Sequence, residues 1–292
     1  LAQYIMTSSI QAAVLLISCP DQPGIVAAVT AFIAQHGGNI IDLEQHSDEE
    51  SRAFFMRLEW DRRAFDLALD DIPVAFAPVA ARFGMTWEVR RRDLRPRIAL
   101  FVTREPHCLI ELLARQQGGE WNADIPLVIS NRDELRGVTE RFGVPFHHLP
   151  VDPANKPAQE AKALALLAEH RIDLVVLARY MQVVTGGFIR HYSNRMINIH
   201  HSFLPAFPGA RPYHQAYARG VKVIGATSHY VTEELDAGPI IAQDIARVSH
   251  RDSVEDLIRK GRDVEKLVLA RAVAAHLEHR VLVCGNRTIV FQ

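Results

Sequence analysis

From Ile98 onward the chain alternates compact apolar runs with stretches of helical periodicity, and that alternation restricts its fold more than any other feature. Ile98–Val102, Ile125–Ile129, Val144–Leu149 and Asp173–Leu177 read as strands. The stretches through Leu109–Leu113, Asp133–Phe142 and from Asn155 or Lys156 to His170 between them read as helices. Strands joined through helices of this length lie parallel, with right-handed crossovers. Such sheets hold ligands beyond the carboxyl ends of their strands. Val221–Val231 and Pro239–Val248 read as later strands, Ser253 as the cap of a helix reaching about His279, and Arg280–Phe291 as a terminal strand pair.

Upstream the pattern changes. Ala13–Ile17 reads as a strand ending at Cys19-Pro20-Asp21-Gln22-Pro23-Gly24. Ile25, Val26, Val29, Phe32 and Ile33 then recur at helical spacing up to the Gly37-Gly38 stop. Asn39–His46 and Ala53–Trp60 form a hairpin about a polar turn. A second helix is expected from about Arg62 towards Arg82, bent or interrupted by Pro73 and Pro78, before a last strand at Met85–Val89. The order βαββαβ describes a ferredoxin-like α+β domain. The arginine-rich, proline-marked stretch Arg90–Arg97 separates the two patterns. The expectation is an α/β chain: a ferredoxin-like domain at 12–91, a solvated linker at 92–97, and a Rossmann-like, mostly parallel sheet domain at 98–292.

Within the second domain, Met196, Ile197 and Ile199 mark a short buried strand, stopped by Pro205 and Pro208. Side chains two apart on a strand share a face, so Asn198 and His200 point together and His201 points away. An amide that can donate to a developing oxyanion, beside an imidazole that can move a proton, suits acyl chemistry. The same pair could instead satisfy backbone groups at a sheet edge. The carboxylate needed to orient the imidazole has its best candidate in Asp236, in the segment Asp236-Ala-Gly238-Pro-Ile-Ile241.

Composition narrows the partners. A 292-residue chain with 48% hydrophobic and 23% charged residues is an ordinary globule, and its net charge of −1 gives no reason to expect nucleic acid. No apolar run reaches the length of a membrane span, and no charged-then-apolar leader opens the sequence, so a cytoplasmic protein with no membrane partner is expected. Cys19, Cys108 and Cys284 are too scattered for a disulfide framework or a zinc pattern. No metal site is expected, since His147 and His148 diverge on a strand and no His-Glu-x-x-His motif occurs.

Asn198-Ile-His200, Ser202-Phe-Leu-Pro205 and His229-Tyr-Val-Thr-Glu-Glu-Leu-Asp236-x-Gly238-Pro-Ile-Ile-x-Gln243 together resemble the catalytic signature of the folate-dependent formyltransferase family. The resemblance implies that Asn198 holds a formyl oxygen while His200 and Asp236 act as a coupled pair. It implies that Arg179, Tyr180, Met181, Gln182 and Val183 line a pterin pocket, and that the loop carrying Thr232, Glu233, Leu235 and Gly238 reads the pterin edge. Val184-Thr-Gly-Gly187 departs from the Ser-Pro usual in this segment, which leaves the start of the local helix open. The first strand–helix turn, Val102-Thr-Arg-Glu-Pro-His107-Cys108, lacks the glycines that cradle phosphate in the purine-pathway member. That departure points to water as the formyl acceptor.

The first domain resembles an ACT domain through Asp21-Gln-Pro-Gly24-Ile-Val and Gly38-Asn39-Ile40. The resemblance implies an amino-acid effector site at Asp21, Pro23, Gly24, Asn39 and Ile40, with glycine and methionine as first candidates. The same turn could serve only as a helix cap. Paired ACT sheets imply a homo-oligomer. Both domains together resemble the formyltetrahydrofolate deformylase family, which hydrolyses 10-formyltetrahydrofolate to tetrahydrofolate and formate with no cofactor beyond the folate. Two rival readings are a folate-dependent formyl transferase to an amine and a folate or amino-acid sensor without turnover.

Overall fold

The computed structural model describes residues 11–205 and 212–292, so Pro208 lies outside the described residues. By its contacts the chain divides into two units. One runs through Arg95 and takes in Glu278–Leu282 and Ile289–Gln292; the other comprises Pro96–Leu277 and Val283–Thr288. The two short terminal segments that sequence reading placed in the second domain thus group with the first unit. Arg57, 3% exposed, accounts for part of this grouping: its guanidinium donates to the carbonyls of Glu278 and His279 at 3.3 and 3.2 Å.

The first unit is built from β1 (Ala12–Pro20), α1 (Ile25–Gln35), β2 (Asn39–Asp48), β3 (Ala53–Asp61), α2 (Ile72–Phe83) and β4 (Thr86–Arg91). Its sheet has the order β2-β3-β1-β4, and every pairing is antiparallel. Leu15, Ile17, Leu58 and Trp60 pack from the sheet against Val29, Phe32 and Phe76 from the helices. The second helix is shorter than expected. Residues from Arg62 to Asp71 form turns, and α2 begins only at Ile72. Pro73 falls in its first turn, where a missing N–H leaves no bond unmade, so this proline starts the helix rather than interrupting it.

The second unit continues with β5 (Arg97–Val102), α3 (His107–Gln117), β6 (Asp124–Ser130), α4 (Arg136–Arg141), β7 (Phe146–His148), α5 (Lys156–Glu169) and β8 (Leu174–Leu177). There follow α6 (Gly186–His191), β9 (Met196–His200), α7 (Pro212–Arg219), β10 (Val223–Tyr230), β11 (Ile240–Arg247) and α8 (Val254–Leu277). A short pair, β12 (Val281–Cys284) and β13 (Arg287–Val290), ends the chain.

The seven-stranded sheet has the order β11-β10-β9-β8-β5-β6-β7. β9, β8, β5, β6 and β7 are parallel, whereas β10 runs antiparallel to both of its neighbours, β9 and the edge strand β11. All four residues of β8 are buried, as a strand covered on both faces requires. The strand order reverses between β5 and β8, and ligands in such sheets bind beyond the strand ends near that reversal. α6 starts at Gly186, capped by Thr185, whose hydroxyl accepts from the Phe188 N–H at 3.3 Å. Threonine thus supplies the cap that the departing Thr-Gly-Gly sequence left open.

Candidate active site

β9 ends at His200, at the carboxyl end of the parallel sheet. His200 is buried and Asn198 half-buried. β10 lies antiparallel beside them, with His229 opposite Asn198 and Thr227 opposite His200. Asn198 Nδ2 is 3.3 Å from His229 Nε2, and the Ser228 hydroxyl donates to the Asn198 carbonyl at 3.0 Å. The cross-strand register therefore brings a second imidazole to the amide.

The chain leaves β10 at Tyr230 and returns at Ile240, and the loop between them carries Asp236 back to the strand ends. The Tyr230 N–H donates to the Pro239 carbonyl at 2.9 Å, and Thr232 Oγ1 donates to the Glu234 carbonyl at 3.0 Å. Gly238 permits this tight return: a Cβ there would sit 1.8 Å from the Tyr230 carbonyl oxygen. Asp236 itself has φ 54, in the left-handed region that Asp tolerates better than most residues.

In that position Asp236 Oδ2 is 3.1 Å from His200 Nδ1, and Oδ1 is 3.7 Å from His229 Nε2. The His200 contact, then the His229 contact, hold the Asp236 carboxyl well below the usual carboxylate range and outweigh the opposing effect of burial. His200 Nε2, on the far side of the ring, is buried and makes no hydrogen bond among the described residues. An imidazole oriented through Nδ1 by an ionised carboxylate can abstract a proton from water, and an amide two residues away on the same strand can meet a developing oxyanion. His201 follows the last residue of β9, and its ring lies 5.2 Å from that of His200. Burial, then the Arg179 charge, pushes its pKa down to about 4.

Of the other residues singled out from sequence, Tyr180, Gln182 and Val183 line a pocket with Phe101, Ile129 and Phe188. Asn198, His200 and Asp236 are not part of its lining. Met181 donates its N–H to Thr103 Oγ1 at 2.9 Å while its side chain is exposed. Arg179 has φ 62 and turns to Glu265. Glu233 is paired with Arg190 at 2.7 Å, and Leu235 is exposed. In the first unit, Gly24 takes φ 93 at the start of α1, beside exposed Asp21 and Pro23. Asn39 and Ile40 open β2, where they pair with Asp61 and Trp60.

Sequence reading missed a buried polar group around Glu265, a residue 1% exposed. Leu257, Gly261, Glu265 and Val268 lie on the buried face of α8, so the signal was a carboxylate interrupting an apolar stripe. His107, Cys108 and Glu265 place possible ligand atoms within 4.8 Å of one another, although no metal was expected. Arg179 Nε sits 3.3 Å from the same Glu265 oxygen that His107 Nε2 approaches at 2.9 Å, so a positive charge already faces it. Burial, then Glu265, keeps the Cys108 thiol well above its ordinary value, which further disfavours a thiolate ligand.

Comparison with known proteins matches residues 96–273 to the formyl transferase family and residues 13–71 to the ACT domain. The chain is 54% identical over 279 residues to a formyltetrahydrofolate deformylase of Synechocystis, covering 96% of this chain and 98% of that protein. It superposes on the crystal structure of a formyltetrahydrofolate deformylase from Pseudomonas syringae with a TM-score of 0.94, at 50% identity, over 98% of this chain and 96% of that one. Glycinamide ribonucleotide transformylase 1 from Symbiobacterium toebii shares 35% identity and a TM-score of 0.64, over 68% of this chain and 95% of its own. The chain belongs to the formyltetrahydrofolate deformylase family and joins an ACT domain to a formyl transferase domain.

Proposed function

We infer that the chain hydrolyses 10-formyltetrahydrofolate to tetrahydrofolate and formate. The observation that carries this reading is the 3.1 Å contact between Asp236 and His200, beside Asn198 on the same strand. Water attacks the formyl carbon while the His200–Asp236 pair takes its proton. Asn198 donates to the oxygen that becomes negative. The C–N10 bond then breaks, and the proton passes to N10 as formate leaves. Two groups this closely coupled titrate as a pair, so the base is the pair rather than either member. Arg179, Tyr180, Met181, Gln182 and Val183 would line the pterin side, with the Thr232–Gly238 loop at its edge.

Around this core reading stand four finer ones. The formate released would supply purine biosynthesis. The ACT domain would pair copies of the chain into a homo-oligomer and bind glycine or methionine near Gly24. The protein would work in the cytoplasm, in keeping with the absence, among the described residues, of any helix long and apolar enough to cross a membrane.

The deciding experiment incubates the protein with 10-formyltetrahydrofolate and no amine. Equal amounts of formate and tetrahydrofolate are expected. Turnover that appears only when an amine is added would replace hydrolysis with transfer.

A further inference from the structure

A buried carboxylate is costly unless other groups compensate it. Glu265 is compensated by three side chains from three other parts of the second unit. His107, at the start of α3, approaches Oε2 at 2.9 Å, and Arg179, just beyond β8, approaches the same oxygen at 3.3 Å. The Tyr213 hydroxyl, from α7, donates to Oε1 at 2.5 Å. Gly261, one turn earlier on α8, makes room for that hydroxyl: a Cβ there would lie 2.1 Å from it. Burial works to raise the Glu265 pKa, but the His107 and Arg179 contacts and the Tyr213 hydrogen bond outweigh it and hold the carboxyl below its ordinary value. The group is therefore an ionised hub.

Arg179 needs such a hub. Its φ of 62 is disfavoured for any residue with a side chain and persists only where surrounding contacts fix it. Directly after it comes the Tyr180–Val183 segment, tied on one side by the Met181 N–H to Thr103. On the hub's other side, the Tyr213 ring lies 6.1 Å from His201, whose ring neighbours His200. One carboxylate thus stands behind both the segment's root and the catalytic imidazole.

We propose that Glu265 is a positioning residue for substrate: by holding Arg179 it keeps the Tyr180–Val183 segment shaped for the folate ring. The proposal rests on assigning that segment to the pterin pocket. In Glu265→Gln a neutral carboxamide with one acceptor oxygen replaces an acceptor-only carboxylate, so it cannot accept from both His107 and Tyr213 and also offset the Arg179 charge.

The test measures formate release over a range of folate concentrations, alongside the melting temperature, for the full chain and for E265Q. The expected result is a KM raised about tenfold to a hundredfold, as for loss of one charge-assisted contact, with kcat changed less than about threefold. Arg179→Met should raise KM similarly, and the double variant should be no worse than the poorer single, because both remove one interaction. An unchanged KM, or effects on KM that add fully, overturns the proposal. A fall in kcat alone that follows the melting temperature also overturns it, since it marks a role in folding only. Should E265Q fail to fold, Glu265→Asp, which withdraws the carboxylate by one methylene, is read by the same KM criterion. Failure of the unmutated protein to release formate would instead sink the hydrolase reading.

Discussion

His229 stands opposite Asn198 across the β9–β10 pair, and its Nε2 lies 3.3 Å from the Asn198 Nδ2. Its Nδ1 lies 2.8 Å from the Tyr230 carbonyl, which can only accept, so Nδ1 carries the proton. Nε2 faces two groups, the Asn198 amide at 3.3 Å and Asp236 Oδ1 at 3.7 Å, and it accepts one N–H of that amide when it carries no proton itself. The second N–H of that amide is the one that would meet the formyl oxygen in the proposed mechanism. His229 thereby orients the proposed oxyanion donor.

Replacing His229 by Leu should therefore lower kcat more than it raises KM. Loss of an oriented oxyanion donor costs about 10²–10³ in rate, and Asn198 in that variant is disoriented rather than absent. A kcat reduced about tenfold to a hundredfold is expected, with KM within about threefold. Steady-state formate release checks it, and a normal kcat would remove His229 from the site.

Asp236→Asn isolates the carboxylate. Asn tolerates the left-handed φ of 54 about as well as Asp, so the loop should keep its path. The amide can still touch His200 Nδ1 but cannot stabilise the imidazolium, and it favours the wrong tautomer. A comparable exchange in serine proteases costs about 10⁴ in kcat. Turnover should fall by at least about 10³ while folate binding, followed by fluorescence quenching, persists. Near-normal hydrolysis would end the proposed mechanism.

The parallel sheet and the Asn198–His200 strand were legible because both rest on local periodicity. Buried strands such as Leu174–Leu177 are apolar throughout, and residues two apart share a face wherever a strand forms. The Asp236 contact to His200 was expected through the resemblance of its whole segment to the formyltransferase signature, and local periodicity alone would not have pointed to it. The start of α2 was not, because an apolar spacing through the 62–71 region satisfies a helix as well as a packed turn, and only Pro73 marks the boundary. The Glu265 group was illegible for a different reason. His107, Arg179, Tyr213 and Glu265 are brought together by tertiary packing, and no local pattern relates positions so far apart in sequence.

Stability should fall on acidification in two stages. His201 is pushed down to about 4 from 6.5, chiefly by burial, and His279 in the first unit likewise to about 4. Below pH 6.5 the unfolded chain takes up protons that the folded chain refuses, so stability declines from there towards pH 4. Asp236 has a folded pKa below its ordinary 3.8, so its contribution is complete above about pH 5 and is lost only as pH falls through and beyond 3.8. Urea unfolding at a series of pH values checks this. His201→Gln should flatten the first stage of the second unit, and Asp236→Asn the second stage.

Two glycine-to-alanine exchanges in helices should have opposite signs. Within a helix, alanine is ordinarily favoured over glycine by about 1 kcal/mol. Gly137 in α4 has nothing within 4 Å of where its Cβ would stand, so Gly137→Ala should stabilise by up to about 1 kcal/mol. Gly261 in α8 has the same helical preference, but its Cβ would lie 2.1 Å from the Tyr213 hydroxyl and 2.3 Å from its ring carbon. Tyr213 cannot yield without giving up Glu265, which would leave a buried carboxylate short of one donor. Overpacking of this kind costs about 1–3 kcal/mol, which exceeds the helical gain, so Gly261→Ala should destabilise. Paired denaturant titrations settle the signs, and a stabilised Gly261→Ala protein would mean that Tyr213 does not occupy the notch on α8.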